Sequence, residues 1–422
     1  MNDNSAPPNR TLIAFIAVTT LFFAWGFITS MNDPLIPAVR AIFSLTYTES
    51  LLTQFSFFIA YGVVSVPGGG LVAKLGYTQS IVLALIAMIV GCLCMPLATH
   101  IESYAVVLLA LFIIASGMTV LQVAANPLSA ALGPVDRSHF RLTLSQAFNS
   151  LGTVFGPWLG SMIMLRGGLF NEGQADAAVK RSESMANIDL AYGLMAGLLA
   201  LLTLFVWRMR GRIAAAAMHS SAPSSLMAAL RSKWAVLGAF AIFFYVGAEV
   251  SIASVMINFL HQPDMLDVPL QRAGTLLGWF YWGGAMVGRF AGSYLLMRMS
   301  APKLLSSAAA IAAMLCLIVS QQSGMLAAVA ALSIGLVNSI MFPVIFTVTL
   351  ERSSASAGST SGLLCTAIVG GALLPPLVGL VADKAGLHWS FMIPMVAYAI
   401  ISAVAAGAVN VRRVATAPAS IH

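Results

Sequence analysis

Twelve apolar runs, each long enough to cross a lipid bilayer, constrain this chain more than any other feature. They cover residues 11–39, 50–73, 79–98, 103–126, 141–165, 189–208, 234–260, 272–298, 303–321, 325–348, 358–382 and 389–411. A spanning helix needs roughly 20 mostly apolar residues. Hydrocarbon offers no partner to a backbone N–H or C=O, so runs of this length predict helices that satisfy their own backbone. Charged residues make up 8% of the chain, against about 25% in soluble globular proteins. So few charges do not cover a water-facing surface, and the remaining solvent is lipid. The first run is too long for a signal-peptide core and lacks a clear small-residue cleavage site, so it reads as a retained first helix.

The loops supply an orientation. With the N-terminus placed in the cytoplasm, 14 of the 21 Lys and Arg residues fall in cytoplasmic segments and six in outer ones, leaving Arg289 inside a run. Basic residues collect on the cytoplasmic side of membrane proteins, and an even number of spans returns the chain to its starting side. Both termini are therefore expected in the cytoplasm of a cell inner (plasma) membrane protein. The same bias accounts for the net charge of +7. There is no basic cluster with interleaved aromatics, so nucleic acid is not expected as a partner.

Cys92, Cys94, Cys316 and Cys365 all lie in apolar runs and read as small hydrophobes rather than as a disulfide or zinc framework. The six histidines fall in loops or termini without metal-ligand spacing. No metal and no cofactor is expected. An enzyme is not expected either, because no nucleophile, paired acids or metal ligands gather at a membrane face.

The longest cytoplasmic link, from Arg208 to Lys233, divides the chain into six helices and six helices. The reading is a first bundle over 1–208, a linker over 209–233 and a second bundle over 234–422. Two matches relate the halves. Gly152, Pro157 and Gly160 of the fifth run recur as Gly371, Pro376 and Gly379 of the eleventh at one offset of 219. Phe22-Phe23 with Gly26 recurs as Phe243-Phe244 with Gly247 at nearly that offset. Parallel halves of this kind belong to the major facilitator fold, with the solute site between them at mid-membrane. Gly152, Gly156 and Gly160 also form a small-residue stripe that lets helices approach closely, giving them a structural or gating role.

Ionisable groups inside a span cost several kcal/mol, about 2.5–3.5 on insertion scales, and are kept when paired, wetted or functional. Three stand out. Asp33 lies in Asn32-Asp33-Pro34-Leu35-Ile36-Pro37, where two prolines remove backbone donors and open the helix. Freed carbonyls beside a carboxylate suit a cation or a hydroxyl. Glu249 lies mid-run in the seventh span, and Arg289 in the eighth reads as structural or gating. Thr119, Gln122 and Asn126 share a helix face, as do Gln146, Asn149 and Thr153. Asn338 lies within the tenth span. An amide carries donors and acceptors together, which matches a sugar hydroxyl. Trp279 and Trp282 offer flat faces on which the C–H side of a sugar ring can lie. Asn32, Gln122, Asn126, Gln146, Asn149, Asn338, Trp279 and Trp282 are thus the candidate solute-binding residues, and Asp33 and Glu249 the candidate cation-coupling pair.

At these residues the sequence resembles the fucose/glucose/galactose proton-symporter group of the major facilitator superfamily. The resemblance rests on the Asn32–Pro37 segment, Leu121-Gln122-Val123-Ala124-Ala125-Asn126-Pro127, Leu132-Gly133-Pro134 and Phe140-Arg141-Leu142. It continues through Gln146-Ala147-Phe148-Asn149-Ser150-Leu151-Gly152, Tyr245-Val246-Gly247-Ala248-Glu249, Gly288-Arg289-Phe290 and Asn338-Ser339-Ile340-Met341-Phe342-Pro343. It implies an all-α membrane protein of twelve helices in two six-helix bundles, working by alternating access. It implies a sugar as substrate and H⁺ (or Na⁺) as coupling ion, in a monomer embedded in the lipid bilayer. Asp33 matches the helix-1 carboxylate tied to coupling, and Gln146 and Asn149 match amides near the sugar. Fucose-type members carry glutamate where this chain has Gln122. Glucose/galactose-type members and related N-acetylglucosamine carriers carry glutamine there and an acid matching Glu249, so this chain resembles that branch. The superfamily loop signature is degraded, with Ala73 at its usual aspartate position. A drug/proton antiporter would show a large apolar cavity with few amides, and a non-transporting sugar sensor a long cytoplasmic extension.

Overall fold

The computed structural model describes residues 8–131, 138–170, 177–216, 226–296, 298–355 and 357–409. Every regular element among them is a helix. Twelve spans follow in chain order: α1 (Phe15–Phe43), α2 (Leu52–Leu75), α3 (Tyr77–His100), α4 (Tyr104–Ala131), α5 (Ser138–Met164), α6 (Ala177–Ala216), α7 (Lys233–His261), α8 (Leu270–Leu296), α9 (Ala301–Gln321), α10 (Gly324–Arg352), α11 (Gly362–Ala385) and α12 (Leu387–Ala408). Nine of them meet a strict length-and-hydropathy test for crossing a membrane among the described residues; α2, α5 and α8 complete the set. Large apolar side chains such as Leu93, Leu201 and Phe290 stand exposed along the outside of the spans. In water such a surface would aggregate; against acyl chains it is at rest.

The runs and the helices differ where the chain changes pitch. α6 continues to Ala216, past the 208 boundary read from sequence, and a short helix Leu226–Leu230 precedes α7. α1, read as one run, stops at Ser30 and restarts at Asn32. Pro34 has no N–H to offer the Ser30 carbonyl, and Pro37 none for that of Asp33. α10 is broken in the same way between Asn338 and Met341, where Pro343 leaves the Ser339 carbonyl without its helical donor. Two of the four cysteines, Cys92 and Cys316, are buried, Cys94 is half-buried and Cys365 is exposed on the outer face of α11.

Without a hydrophobic drive between helices in lipid, close packing holds them together. Glycines set the tightest joints. A Cβ on Gly152 would lie 2.7 Å from the backbone N of Phe27, one on Gly156 2.7 Å from the Phe27 carbonyl oxygen, and one on Gly160 2.6 Å from Pro34 Cγ. All three glycines therefore seat α5 on α1, inside one half of the molecule. The counterpart joint in the second half seats α7 on α11: a Cβ on Gly247 would lie 2.9 Å from the Gly370 carbonyl oxygen. The repeat is kept only in part as a joint: Gly371 and Gly379, the counterparts of Gly152 and Gly160, lie instead against Phe58 and Thr48 of the first half.

Replacing Gly152 by Val should separate α5 from α1 and destabilise the fold by about 1–3 kcal/mol, the usual cost of overpacking. A fall in the thermal melting point of detergent-solubilised protein measures it. An equal change at Gly69, where nothing lies within 4 Å of an added Cβ, should leave the melting point close to its original value.

Candidate functional site

The break in α1 places Asp33 at the seam between the two halves. Its carboxylate is 4% exposed and accepts a hydrogen bond from Trp282 Nε1 on α8 at 2.9 Å. Beside it Asn32 is 2% exposed, and its Nδ2 has no hydrogen-bond partner among the described residues. An unpaired buried donor is costly, and here it adjoins carbonyls that the prolines have freed. Asn32 Nδ2, these carbonyls and the Asp33 carboxylate form a polar cluster at the break.

Trp282 reaches Asp33 because α8 is not a plain α-helix. Leu277–Trp282 winds as a π-helical turn, a feature that often marks functional positions. Gly278 in that turn lets α8 approach α5, since a Cβ there would lie 2.8 Å from the Val154 carbonyl oxygen. The extra residue per turn separates the two tryptophans. Trp282 faces Asp33, whereas Trp279 is half exposed in an edge-to-face cluster with Phe155 and Trp158 of α5. Trp279, grouped with Trp282 in the sequence reading, does not share its contact.

Glu249 on α7 forms the second charged centre. Tyr245, one turn earlier, donates to Glu249 Oε1 at 2.6 Å, and Tyr281 donates to the Glu249 carbonyl oxygen at 3.2 Å. Asn338, at the break in α10, donates through Nδ2 to the hydroxyls of Tyr281 (3.2 Å) and Tyr398 (3.0 Å). The three tyrosines and Asn338 are buried, and Glu249 is partly exposed where this network meets the seam. Asn338 was read from sequence as a sugar-facing amide. The structure instead buries it completely inside the second half, with its donors given to tyrosines. The physical reason is helical phase: Asn338 continues the buried face of Ala327, Ala331 and Ile334 just before the α10 break.

Arg289 was read from sequence as structural or gating. In the structure its guanidinium crosses the seam and donates to Ser150 Oγ on α5, and its charge acts on Glu249. Asp33 and Glu249 in turn lie within reach of each other's field. The centre of the molecule thus holds two carboxylates and one guanidinium.

Two amides of the first half give their side-chain donors to partners within it. Gln122 donates to the Tyr61 hydroxyl at 2.5 Å, and Asn149 donates to the Phe22 carbonyl oxygen at 3.1 Å. Gln146 is half-buried one turn from Ser150, which donates to the Gln146 carbonyl oxygen. The side chain of Asn126 lies outside the described residues.

Comparison with known proteins decides the family. The Major Facilitator Superfamily model matches residues 14–368. The chain belongs to the Major Facilitator Superfamily. It is 41% identical over 394 residues, 92% of each chain, to a protein named glucose/galactose transporter from Brucella abortus. It is 30% identical over 420 residues, 94% of each chain, to the L-fucose-proton symporter of Escherichia coli. The crystal structure of FucP, a transporter of this superfamily in the outward conformation, superimposes with a TM-score of 0.68 at 27% identity, covering 94% of this chain and 99% of that one.

Within this superfamily member, sequence reasoning missed Tyr398 and the hydrogen-bonding roles of Tyr245, Tyr281 and Ser150. A tyrosine in an apolar run reads as packing or as an interface anchor. Only the Tyr245–Glu249 spacing of i, i+4 carried a signal, since such residues share a helix face. Asn338→Leu should leave the Tyr281 and Tyr398 hydroxyls short of a donor in a dry interior. The expected cost is about 1–3 kcal/mol, read as a lower melting temperature.

Proposed function

We propose that this chain imports a hexose of the glucose/galactose type by proton symport, through alternating access of two halves, α1–α6 and α7–α12. The observation that carries the reading is the charge count at the seam. Arg289 acts on Glu249, while Asp33 has the Trp282 Nε1–H and the repelling charge of Glu249. With both acids ionised, one negative charge is left without a partner in a poorly solvated place, which is expensive. One proton removes the imbalance. Uptake of an ion from outside and its release inside are then tied to the state of the seam. A ligand shifts such an equilibrium only by its different affinity for the two states.

The substrate class follows from the polar groups and from the relatives. Asn32 keeps an unpaired Nδ2 beside Asp33, Gln146, Asn149 and Gln122 are the amides proposed to join it from α4 and α5, and Trp282 adds a flat ring from α8. A hexose offers hydroxyls for the first and a C–H face for the second. The name of the Brucella relative points to glucose or galactose, and Gln122 in place of the fucose-type glutamate points the same way.

The loop charge bias sets both termini in the cytoplasm of the cell inner membrane, and the protein acts as a monomer. The α1–α2 and α11–α12 loops then lie outside. Contacts between the halves run from that end, through Gly274 against Ser161 and Trp282 on Asp33, to Arg289 on Ser150. The structure is therefore read as closed to the outside.

The test is uptake of labelled glucose, galactose, fucose and N-acetylglucosamine into liposomes holding the purified protein, under an inward proton or sodium gradient. Accumulation of glucose or galactose that stops when the proton gradient is collapsed is the expected result. Asp33→Asn and Glu249→Gln should each abolish accumulation, with Asp33→Asn sparing sugar exchange. Accumulation at the unmodified level in both variants would overturn the coupling assignment. Sodium-driven uptake would move the ion, and uptake of another sugar the substrate.

A further inference from the structure

The outer end of the molecule carries a bridge between the halves that binding of sugar and proton does not use. Tyr47–Ser50 form a single helical turn in the α1–α2 loop. The start of a helix leaves its first N–H groups without internal partners. Thr46 and Glu49 settle their own by a reciprocal capping box: Glu49 N donates to Thr46 Oγ1 at 3.2 Å, and Thr46 N donates to Glu49 Oε2 at 2.8 Å. The N–H groups of Tyr47 and Thr48 remain. Both donate to a carboxylate of the other half, Asp383 near the end of α11. Tyr47 N lies 2.7 Å from Oδ1, and Thr48 N and Thr48 Oγ1 lie 2.8 Å and 2.6 Å from Oδ2.

The seat around these bonds is fitted. Gly379, one turn before Asp383, lets α11 rest on the loop, since a Cβ there would lie 2.7 Å from Thr48 Cα. Arg40 stacks on the Tyr47 ring at 3.9 Å, and its positive charge acts on Asp383. Tyr104 of α4 donates to the Glu49 carbonyl oxygen at 2.6 Å, tying the turn to the first half. One carboxylate of the second half therefore closes three donors of the first, at the end farthest from the termini.

We propose that Asp383 is a gating residue: its carboxylate latches the outer end shut, and opening toward the outside requires its three bonds to Tyr47 and Thr48 to break. Bonds to an ionised group are the stronger kind. Asp383 is nevertheless exposed, so water replaces those bonds on opening and the latch biases the equilibrium by a modest factor. A gate that turns over needs that balance. The proposal deepens the alternating-access reading and takes from it only which end is outer. Its test uses no solute, so failure of the sugar assay and failure of the latch are separate results.

The experiment starts from full-length protein with Cys92, Cys94, Cys316 and Cys365 replaced by alanine and with Ser161→Cys added. Ser161 is completely buried on α5 at the same end, where a Cβ on Gly274 of α8 would lie 2.6 Å from its Oγ. The readout is the rate of labelling by a membrane-impermeant maleimide in proteoliposomes. Asp383→Ala should raise that rate about tenfold, the scale of one net charge-assisted bond. Gly379→Ala, which keeps the carboxylate and wedges the joint, should raise it as well. Asp264→Asn breaks the 2.7 Å pair with His388 at the same end but within one half, and should leave the rate unchanged. Labelling at the parent rate in both Asp383→Ala and Gly379→Ala overturns the proposal. An equal rise in Asp264→Asn also overturns it, because loosening of that end would then be general.

Discussion

Hydrocarbon tolerates no unpaired polar group, and that single constraint orders the whole molecule. Each span closes its own backbone bonds and turns apolar side chains outward. Polar groups are then either bonded inside a half, as Asn338 is to Tyr281 and Tyr398, or gathered where the two halves meet. Asp33, Trp282, Glu249, Arg289 and Ser150 all lie there or one contact behind it. The same constraint explains why irregular backbone is found at this surface. The α1 break frees carbonyls beside Asp33, and the π turn in α8 aims Trp282 at it.

The halves differ in what they contribute. The first supplies amides on helix faces and a carboxylate at a proline break. The second supplies a buried hydroxyl network that ends at Glu249. Tyr245 and Tyr281 therefore hold Glu249 from within its own half. Asp33 is held instead by a bond that crosses the seam and must change whenever the halves move. One acid thus belongs to a half, and the other belongs to the contact between them.

Glycines separate rigid joints from moving ones. Gly152, Gly156 and Gly160 bind α5 to α1, and Gly247 with Gly370 binds α7 to α11, each within its own half. Gly274, Gly278 and Gly379 lie against the opposite half. The first group makes each bundle a solid body. The second lets two solid bodies close on each other without side chains in the way.

The twelve spans, their helical nature, the two related halves and the acids at Asp33 and Glu249 were legible from the sequence, because each rests on local chemistry: run length, proline position, or a charge set in an apolar stretch. The bonds of Asn338 to Tyr281 and Tyr398, the divergence of Trp279 from Trp282, the reach of Arg289 to Ser150 and the Asp383 bridge were not. Each depends on residues that meet from far apart in the chain, or on a helix that changes pitch. Local pattern records which groups a helix carries and on which face. Only tertiary structure decides what that face meets, because the partner arrives from another span whose distance, rotation and breaks are set by packing.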